Sequence, residues 1–228
     1  MTFARPPERL RAGTTRYLAG RRSACGNYAI EAVPAHWYVM PMTLQERLAT
    51  GKYKLKVDDY ALLGEIGAFG DASTELIDGD IIVMSPEWRP HMRVKDEIAY
   101  RLRRALEAID ATLFVGTGGS VALGDHEMPR PDILLTSQIE GEHAVPGASV
   151  ALLVEVSTST LTHDLTTKAA LYAAAGVPEY WVVDVNDRLI HQMWAPAGDG
   201  FAKRRESGFG NPIASTTIDG VTIATFGL

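Results

Sequence analysis

Residues 152–184, LLVEVSTSTLTHDLTTKAALYAAAGVPEYWVVD, contain the pattern that decides the fold. An apolar run with Glu155 in its middle predicts a buried strand. A helical pattern follows and ends at Gly176, and EYWVVD predicts the next strand. Burying an isolated carboxylate costs on the order of several kcal/mol. A glutamate inside a buried strand therefore indicates a functional site, with a structural ion pair as the alternative.

The helix in this stretch carries a second charge on its apolar side. With about 100° of rotation per residue, Lys168 lies between Leu171 and Tyr172, on the stripe that also contains Leu165. Lys168 is therefore expected to point toward the sheet, where its flexible stem could reach a strand-end carboxylate or a bound phosphate. The alternative is a lysine that extends along the helix edge to solvent.

A second candidate carboxylate, Asp132, follows Pro131 at the start of another apolar run. Residues 130–137 and 148–157 are rich in aliphatic side chains, which predicts strands buried on both faces. Neighbouring strands lie about 4.8 Å apart, so carboxylates near the same end of two strands can share one cation. Oxygen-rich sites of this kind suit Mg²⁺, and the sequence therefore predicts a magnesium site.

The remaining elements predict a mixed sheet with helices packed on it. Helices are expected over residues 57–67 and 91–109, and hairpins are expected about Asp78–Gly79, Thr117–Gly118, Asn186–Asp187 and Asp219–Gly220. This order does not alternate regularly between strands and helices, so the α/β chain is expected to form an α+β arrangement and not a regular βαβ series.

Length and composition favour a globular protein without covalent staples. The chain has 228 residues, of which 46% are hydrophobic and 22% charged. The single cysteine, Cys25, excludes a disulfide framework within the chain and a CxxC zinc site. No apolar stretch approaches the roughly 20 residues that span a bilayer. A cytoplasmic protein without membrane contact is expected.

Residues 1–41 differ in composition from the rest of the chain. They contain six arginines and two glutamates, so the remainder is more acidic than the net charge of -6 suggests. An acidic body argues against a broad electrostatic surface for nucleic acid. We expect residues 1–41 to be a poorly ordered or non-native extension, with translation starting at Met40 or Met42. Residues 42–228 would then form a single domain.

Three blocks of sequence carry a family resemblance. They are TELIDGDIIVMSPEWRPH at 74–91, RPDILL at 130–135, and the opening stretch at 152–184. Together they closely resemble the Uma family of restriction endonuclease-like proteins, a branch of the PD-(D/E)XK nuclease-like superfamily. The likeness runs from about residue 43 to residue 205. It implies a restriction endonuclease-like core preceded by a β-hairpin.

The resemblance also implies a set of site residues. The PD element corresponds to Pro131–Asp132 and the second acid to Glu155. The lysine usually found two positions after that acid is replaced by Ser157, and Lys168 on the following helix is the family's alternative.

Two further residues, Glu75 and His91, match family motif positions near the site. Asp132, Glu155 and Glu75 would hold Mg²⁺, with Mn²⁺ as a second candidate. Tyr172, one turn after Lys168, could cover the site or belong to the core. From the residues alone, a glutamate at the position of Glu75 is more often an exposed hairpin residue, and His91 could be a helix cap.

The implied activity is Mg²⁺-dependent endonucleolytic hydrolysis of DNA, for which a homodimer would supply two sites for two strands. One alternative is a catalytically silent module that kept the nuclease fold and binds nucleic acid or protein. Another is a metal-dependent enzyme that acts on a small phosphorylated substrate, which the acidic body favours.

Overall fold

The computed structural model describes residues 51–138 and 140–228, so the expectations for residues 1–41 and for the start at Met40 or Met42 fall outside it. The helices are α1 (Val57–Glu65), α2 (Arg89–Ala108), α3 (Leu161–His163) and α4 (Ala169–Ala174), with a π-helical turn, Asp164–Lys168, between the last two. The strands are β1 (Thr74–Ile77), β2 (Asp80–Val83), β3 (Phe114–Thr117), β4 (Val121–Ala122), β5 (Ile133–Thr136), β6 (Val145–Pro146), β7 (Val150–Ser157), β8 (Glu179–Asp184), β9 (Leu189–Ala197), β10 (Gly200–Gly208), β11 (Ile213–Ala214) and β12 (Thr222–Ile223).

A six-stranded mixed sheet in the order β10-β9-β8-β7-β5-β3 forms the centre of the described chain. Strands β7 and β8 are parallel, and the other neighbours are antiparallel. The parallel pair requires a crossover, which α3, the π-helical turn and α4 provide. The sheet therefore confirms the expected mixed α+β arrangement and places the opening stretch at its middle.

Each face of the sheet has its own apolar core. Helix α2 contributes Ile98 and Leu102 to one core, where they join Trp181 of β8. Tyr172 of α4 and Tyr180 of β8 belong to the other core. The side chains of β5, β7 and β8 are nearly all buried, as expected for strands covered on both faces.

The predicted hairpin about Asp78–Gly79 is confirmed as β1 and β2, which pair from Thr74 with Val83 to Ile77 with Asp80. Asp78 and Gly79 both have positive φ angles, 48° and 67°, as a two-residue hairpin turn requires. The long helix is also confirmed and begins at Arg89, two residues before His91. His91 therefore lies inside the first turn and does not cap the helix.

The hairpin expected about Thr117–Gly118 was wrong. Strand β3 pairs with β5, and β4 forms a short parallel pair with β6. Val115 of β3 and Val121 of β4 belong to the two opposite cores. The chain therefore separates these strands to fill both cores, and it turns at Gly118, whose φ is 63°.

Two features near the end of the chain differ from expectation. Strand β10, an edge strand of nine residues, was not predicted. The last hairpin exists, but its strands are β11 and β12, so a loop longer than two residues surrounds Asp219–Gly220. The hairpin of β8 and β9 across Asn186–Asp187 is confirmed.

Candidate active site

The predicted catalytic residues and His91 line one cavity, whereas Ser157 and Tyr172 do not line it. Its volume is about 270 Å³, and it opens between the β1–β2 hairpin, the start of α2, the end of β7 and the π-helical turn. The ionisable residues that line it are Glu75, Glu87, His91, Asp132, Glu155, His163, Asp164 and Lys168. The fold thus brings together five residues from distant parts of the sequence: Glu75, His91, Asp132, Glu155 and Lys168.

Lys168 lies between two buried carboxylates. Its Nζ is 3.1 Å from Oε1 of Glu155 and 3.2 Å from Oε2 of Glu75. All three side chains are about 5% exposed, so Lys168 does not extend to solvent and Glu75 is not an exposed hairpin residue. The backbone N–H of Arg130 also donates to Oε2 of Glu75, at 3.1 Å.

The opening stretch builds this arrangement from two periodicities. Asp164, Lys168 and Tyr172 are spaced by four residues and share one side of the helical segment, while Glu155 and Ser157 are spaced by two and share one face of β7. The Ser157 hydroxyl donates to Asp164, and Lys168 donates to Glu155. The Tyr172 hydroxyl also donates to Oε1 of Glu155, at 2.7 Å. Tyr172 is therefore both a core residue and a direct partner of the site.

Burial and the neighbouring charges in the cavity shift the pKa values of Glu155 and Lys168. Burial raises the pKa of the Glu155 carboxyl to about 8, with Asp132 and Asp164 acting in the same direction and Lys168 opposing them. Burial alone would lower the pKa of Lys168, but the carboxylates of Glu155 and Glu75 outweigh it and raise that pKa. Lys168 thus stays charged at neutral pH, and a cation bound beside Glu155 would favour the ionised form of its carboxyl.

Asp132 is fixed by two donors at the start of β5. Its Oδ2 accepts from the backbone N–H of Val156 at 2.8 Å and from Nε2 of His91 at 3.1 Å. Burial disfavours the charged imidazole, but the hydrogen bond and the charge of Asp132 outweigh it and raise the pKa of His91. Nδ1 of His91 has no hydrogen-bond partner among the described residues and lies 3.8 Å from Oε2 of Glu87.

The donor set of the cavity suits a divalent cation. Four carboxylates, those of Glu75, Asp132, Glu155 and Asp164, line the same cavity as one lysine, and negative charge of this kind is stabilised by a metal. Ligand atoms of Glu87, His91 and Asp132 also lie within 4.8 Å of one another. Asp132 is common to this cluster and to the predicted set of Asp132, Glu155 and Glu75.

Glu87 and Asp164 were not predicted as site residues. Glu87 lies in the Pro-flanked loop before α2, where the sequence has no periodicity, and its carboxylate pairs with Lys95. Asp164 had a usable signal, because about 100° per residue places it between Leu171 and Lys168 on the same stripe. Its carboxylate accepts from Thr160 at 2.7 Å as well as from Ser157.

Other charged candidates have structural roles. Glu97 pairs with Arg101 one helical turn away. Asp184 accepts hydrogen bonds from the backbone N–H groups of Asn186 and Asp187, so it shapes the β8–β9 turn. Neither residue lines the cavity.

Comparison of the sequence with known protein families finds one match. The family described as "Uma2: Putative restriction endonuclease" matches residues 57–224. The chain belongs to this family. Membership in Uma2 confirms the resemblance read from the three sequence blocks, and the family description gives nuclease as the coarse functional assignment. None of the helices in the described part of this Uma2 chain has the length and apolar character of a membrane span.

A solved structure shows the same fold. It is the crystal structure of a putative nuclease belonging to DUF820 from Anabaena variabilis ATCC 29413, which is 15% identical to this chain. The match covers 68% of this chain and 86% of that chain, with a TM-score of 0.52. No curated protein matches this Uma2 chain.

Proposed function

We propose that this protein is a Mg²⁺-dependent endonuclease that hydrolyses DNA phosphodiester bonds. The observation that carries the proposal is Lys168, which lies buried between Glu75 and Glu155 in a cavity that also contains Asp132. A structural ion pair would require one carboxylate for one lysine. An excess of carboxylates around a fixed ammonium is instead the arrangement that metal-assisted phosphoryl chemistry uses.

Asp132, Glu155 and Glu75 are the residues that would hold Mg²⁺, and Mn²⁺ is compatible with the same oxygen ligands. Bound there, the metal would supply a water of lowered pKa and neutralise charge on the phosphate. His91 would keep Asp132 in place through its hydrogen bond. Glu87 is a further candidate ligand, because it shares the cluster with His91 and Asp132.

Lys168, Tyr172 and Ser157 would have roles other than holding the metal. The Lys168 ammonium would stabilise negative charge that grows on the phosphate oxygens, or orient the attacking water. Tyr172 would hold the Glu155 carboxylate by its hydrogen bond. Ser157 would take no part in proton transfer, because its hydroxyl is committed to Asp164. Lys168 would then do the work of the strand lysine that Ser157 replaces.

The test is metal-dependent cleavage of supercoiled plasmid and of circular single-stranded DNA. Wild type would be compared with Glu155→Ala and Lys168→Ala at matched folding, with Glu97→Gln as a control outside the cavity. Cleavage in Mg²⁺ or Mn²⁺ that both site variants lose would support the nuclease. Cleavage that persists in Glu155→Ala would point to a contaminant, and no cleavage by wild type would favour the silent module.

The homodimer stays a prediction.

A further inference from the structure

The cavity has two walls of different chemistry above its carboxylate floor. One wall is formed by Ile82, Val83 and Trp88, from β2 and the residue before α2. A second wall consists of Thr158, Ser159, Thr160 and His163, from the loop after β7 and the start of the helical segment. One wall therefore offers apolar and aromatic surface, and the other offers hydroxyl and imidazole groups.

The apolar wall is exposed although its side chains are large. Trp88 is 70% exposed, Val83 67% and Ile82 39%. Fold stability does not account for this exposure, because leaving apolar surface in water forgoes the stabilisation that burial would give. The backbone at Trp88 is held in place, since Trp88 is the N-cap residue of α2 and Pro90 lies in the first turn. An indole on a fixed backbone at the mouth of a site is suited to stacking.

The depth of the carboxylates limits what can react. Glu75 and Glu155 are each 4% exposed, so a scissile phosphate must enter the cavity to approach them. The cavity of about 270 Å³ lies just below the roughly 300–1,000 Å³ of pockets that enclose drug-sized ligands. It has room for a phosphate with one attached nucleoside. Paired and stacked bases of a duplex do not present a free ring face to Trp88.

We propose that the site takes single-stranded DNA, with one unpaired base stacked on Trp88 while its sugar and phosphate face the hydroxyl wall. This inference rests on the proposed nuclease function and adds the substrate class to it. Stacking would be sequence-tolerant, because every base has a π-face. Base stacking would also supply binding energy without a basic duplex-binding surface, which the acidic body does not offer.

The test uses one oligonucleotide sequence as a labelled single strand, as a blunt duplex and as single strands with one abasic position each. Binding is measured by fluorescence anisotropy in Ca²⁺ and cleavage by gel in Mg²⁺. The proteins are the full-length wild type, Trp88→Ala, Trp88→Phe and, as a matched exposed aromatic outside the cavity, Phe226→Ala.

Wild type should bind and cleave the single strand better than the duplex. Trp88→Ala should weaken single-strand binding about 5- to 150-fold, the range for one stacked base, while Trp88→Phe and Phe226→Ala retain it. One abasic position should weaken single-strand binding by wild type to a similar extent. It should cause no further loss of binding in Trp88→Ala.

Two outcomes would overturn the inference, and the proposed nuclease function survives only the first of them. If wild type cleaves both forms equally and Trp88→Ala behaves as wild type, the single-strand preference fails and the nuclease function stands. If wild type neither binds nor cleaves any of these DNAs, both proposals fail together.

Discussion

Two buried glutamates on neighbouring parallel strands, Glu155 of β7 and Glu179 of β8, are satisfied in opposite ways. Glu179 has no solvent exposure and receives hydrogen bonds from the Trp181 and Gln192 side chains. It also receives hydrogen bonds from the Ser215 hydroxyl, the Thr217 hydroxyl and the backbone N–H groups of Thr216 and Thr217. Glu155 receives its hydrogen bonds from Lys168 and Tyr172, and it faces a cavity with other carboxylates.

The difference shows that burial of a carboxylate does not by itself identify a site. Glu179 binds the chain around Ser215 to the sheet, because fixed neutral donors replace its hydration. Glu155 has few neutral donors and strong charges nearby, so its ionisation stays adjustable. The cavity and the competing charges distinguish a functional carboxylate from a structural one.

The first prediction compares the same substitution at the two glutamates. Glu155→Gln should lower DNA cleavage by more than about 10²-fold, because it removes a proposed metal ligand and loss of a partner outside the ligand shell already costs about 10- to 100-fold, with little loss of thermal stability. Glu179→Gln should destabilise the protein by about 3 kcal/mol, because its amide N–H₂ would face donors, and should leave activity per folded molecule unchanged. Denaturant titration and initial rates measure both; equal effects of the two substitutions would contradict the comparison.

The second prediction concerns the cation that Glu155 has and Glu179 lacks. Lys168→Ala should lower kcat about 10²-fold and should not weaken Mg²⁺ binding, because it removes a positive charge between Glu75 and Glu155. Isothermal titration with Mg²⁺ and single-turnover rates separate the two effects. Equal losses of rate and of metal affinity would show that Lys168 only supports the fold of the site.

The third prediction uses pH. The pKa of Glu155 is raised to about 8 in the folded metal-free protein. The unfolded chain therefore releases this proton at lower pH than the folded protein does, so stability should fall as pH rises from about 4.5 to about 8. Glu155→Gln should remove about 2 kcal/mol of that fall between about pH 6 and 8. Denaturant midpoints across pH test this, and parallel curves would contradict it.

The smallest effect is expected for Tyr172. Tyr172→Phe removes one hydrogen bond to Glu155 and should cost about 1 kcal/mol of stability. Because the phenol stabilises the carboxylate form, its loss should also move the midpoint of the pH–rate profile upward. A midpoint that does not move would limit Tyr172 to packing.

Much of the site was visible in the sequence because it lies on strongly periodic elements. The apolar stripe predicted the inward direction of Lys168, and the aliphatic runs predicted the buried strands that carry Asp132 and Glu155. Glu179 belongs to the same opening stretch, at the start of the predicted strand EYWVVD, and nothing in the sequence indicated that it is fully buried. The donors that satisfy it come from residues 215–217, far along the chain.

The features that were missed lack local signals. Strand β10, GFAKRRESG, is largely exposed at the edge of the sheet, so its sequence does not alternate between apolar and polar residues. The pairing of β3 with β5 depends on which core each side chain fills, and that is decided by the whole sheet. Glu87 enters the site only because α2 begins beside β5.

The π-helical turn at Asp164–Lys168 makes the length of this segment matter more than its composition. Thr166 and Thr167 inside the turn are exposed, so their side chains have room to vary. Deleting either residue would rotate Lys168 by about 100° relative to Asp164 and would take its ammonium away from both glutamates. Related sequences can therefore differ freely at these two positions. A deletion there would indicate a protein in which the lysine no longer contacts the two glutamates.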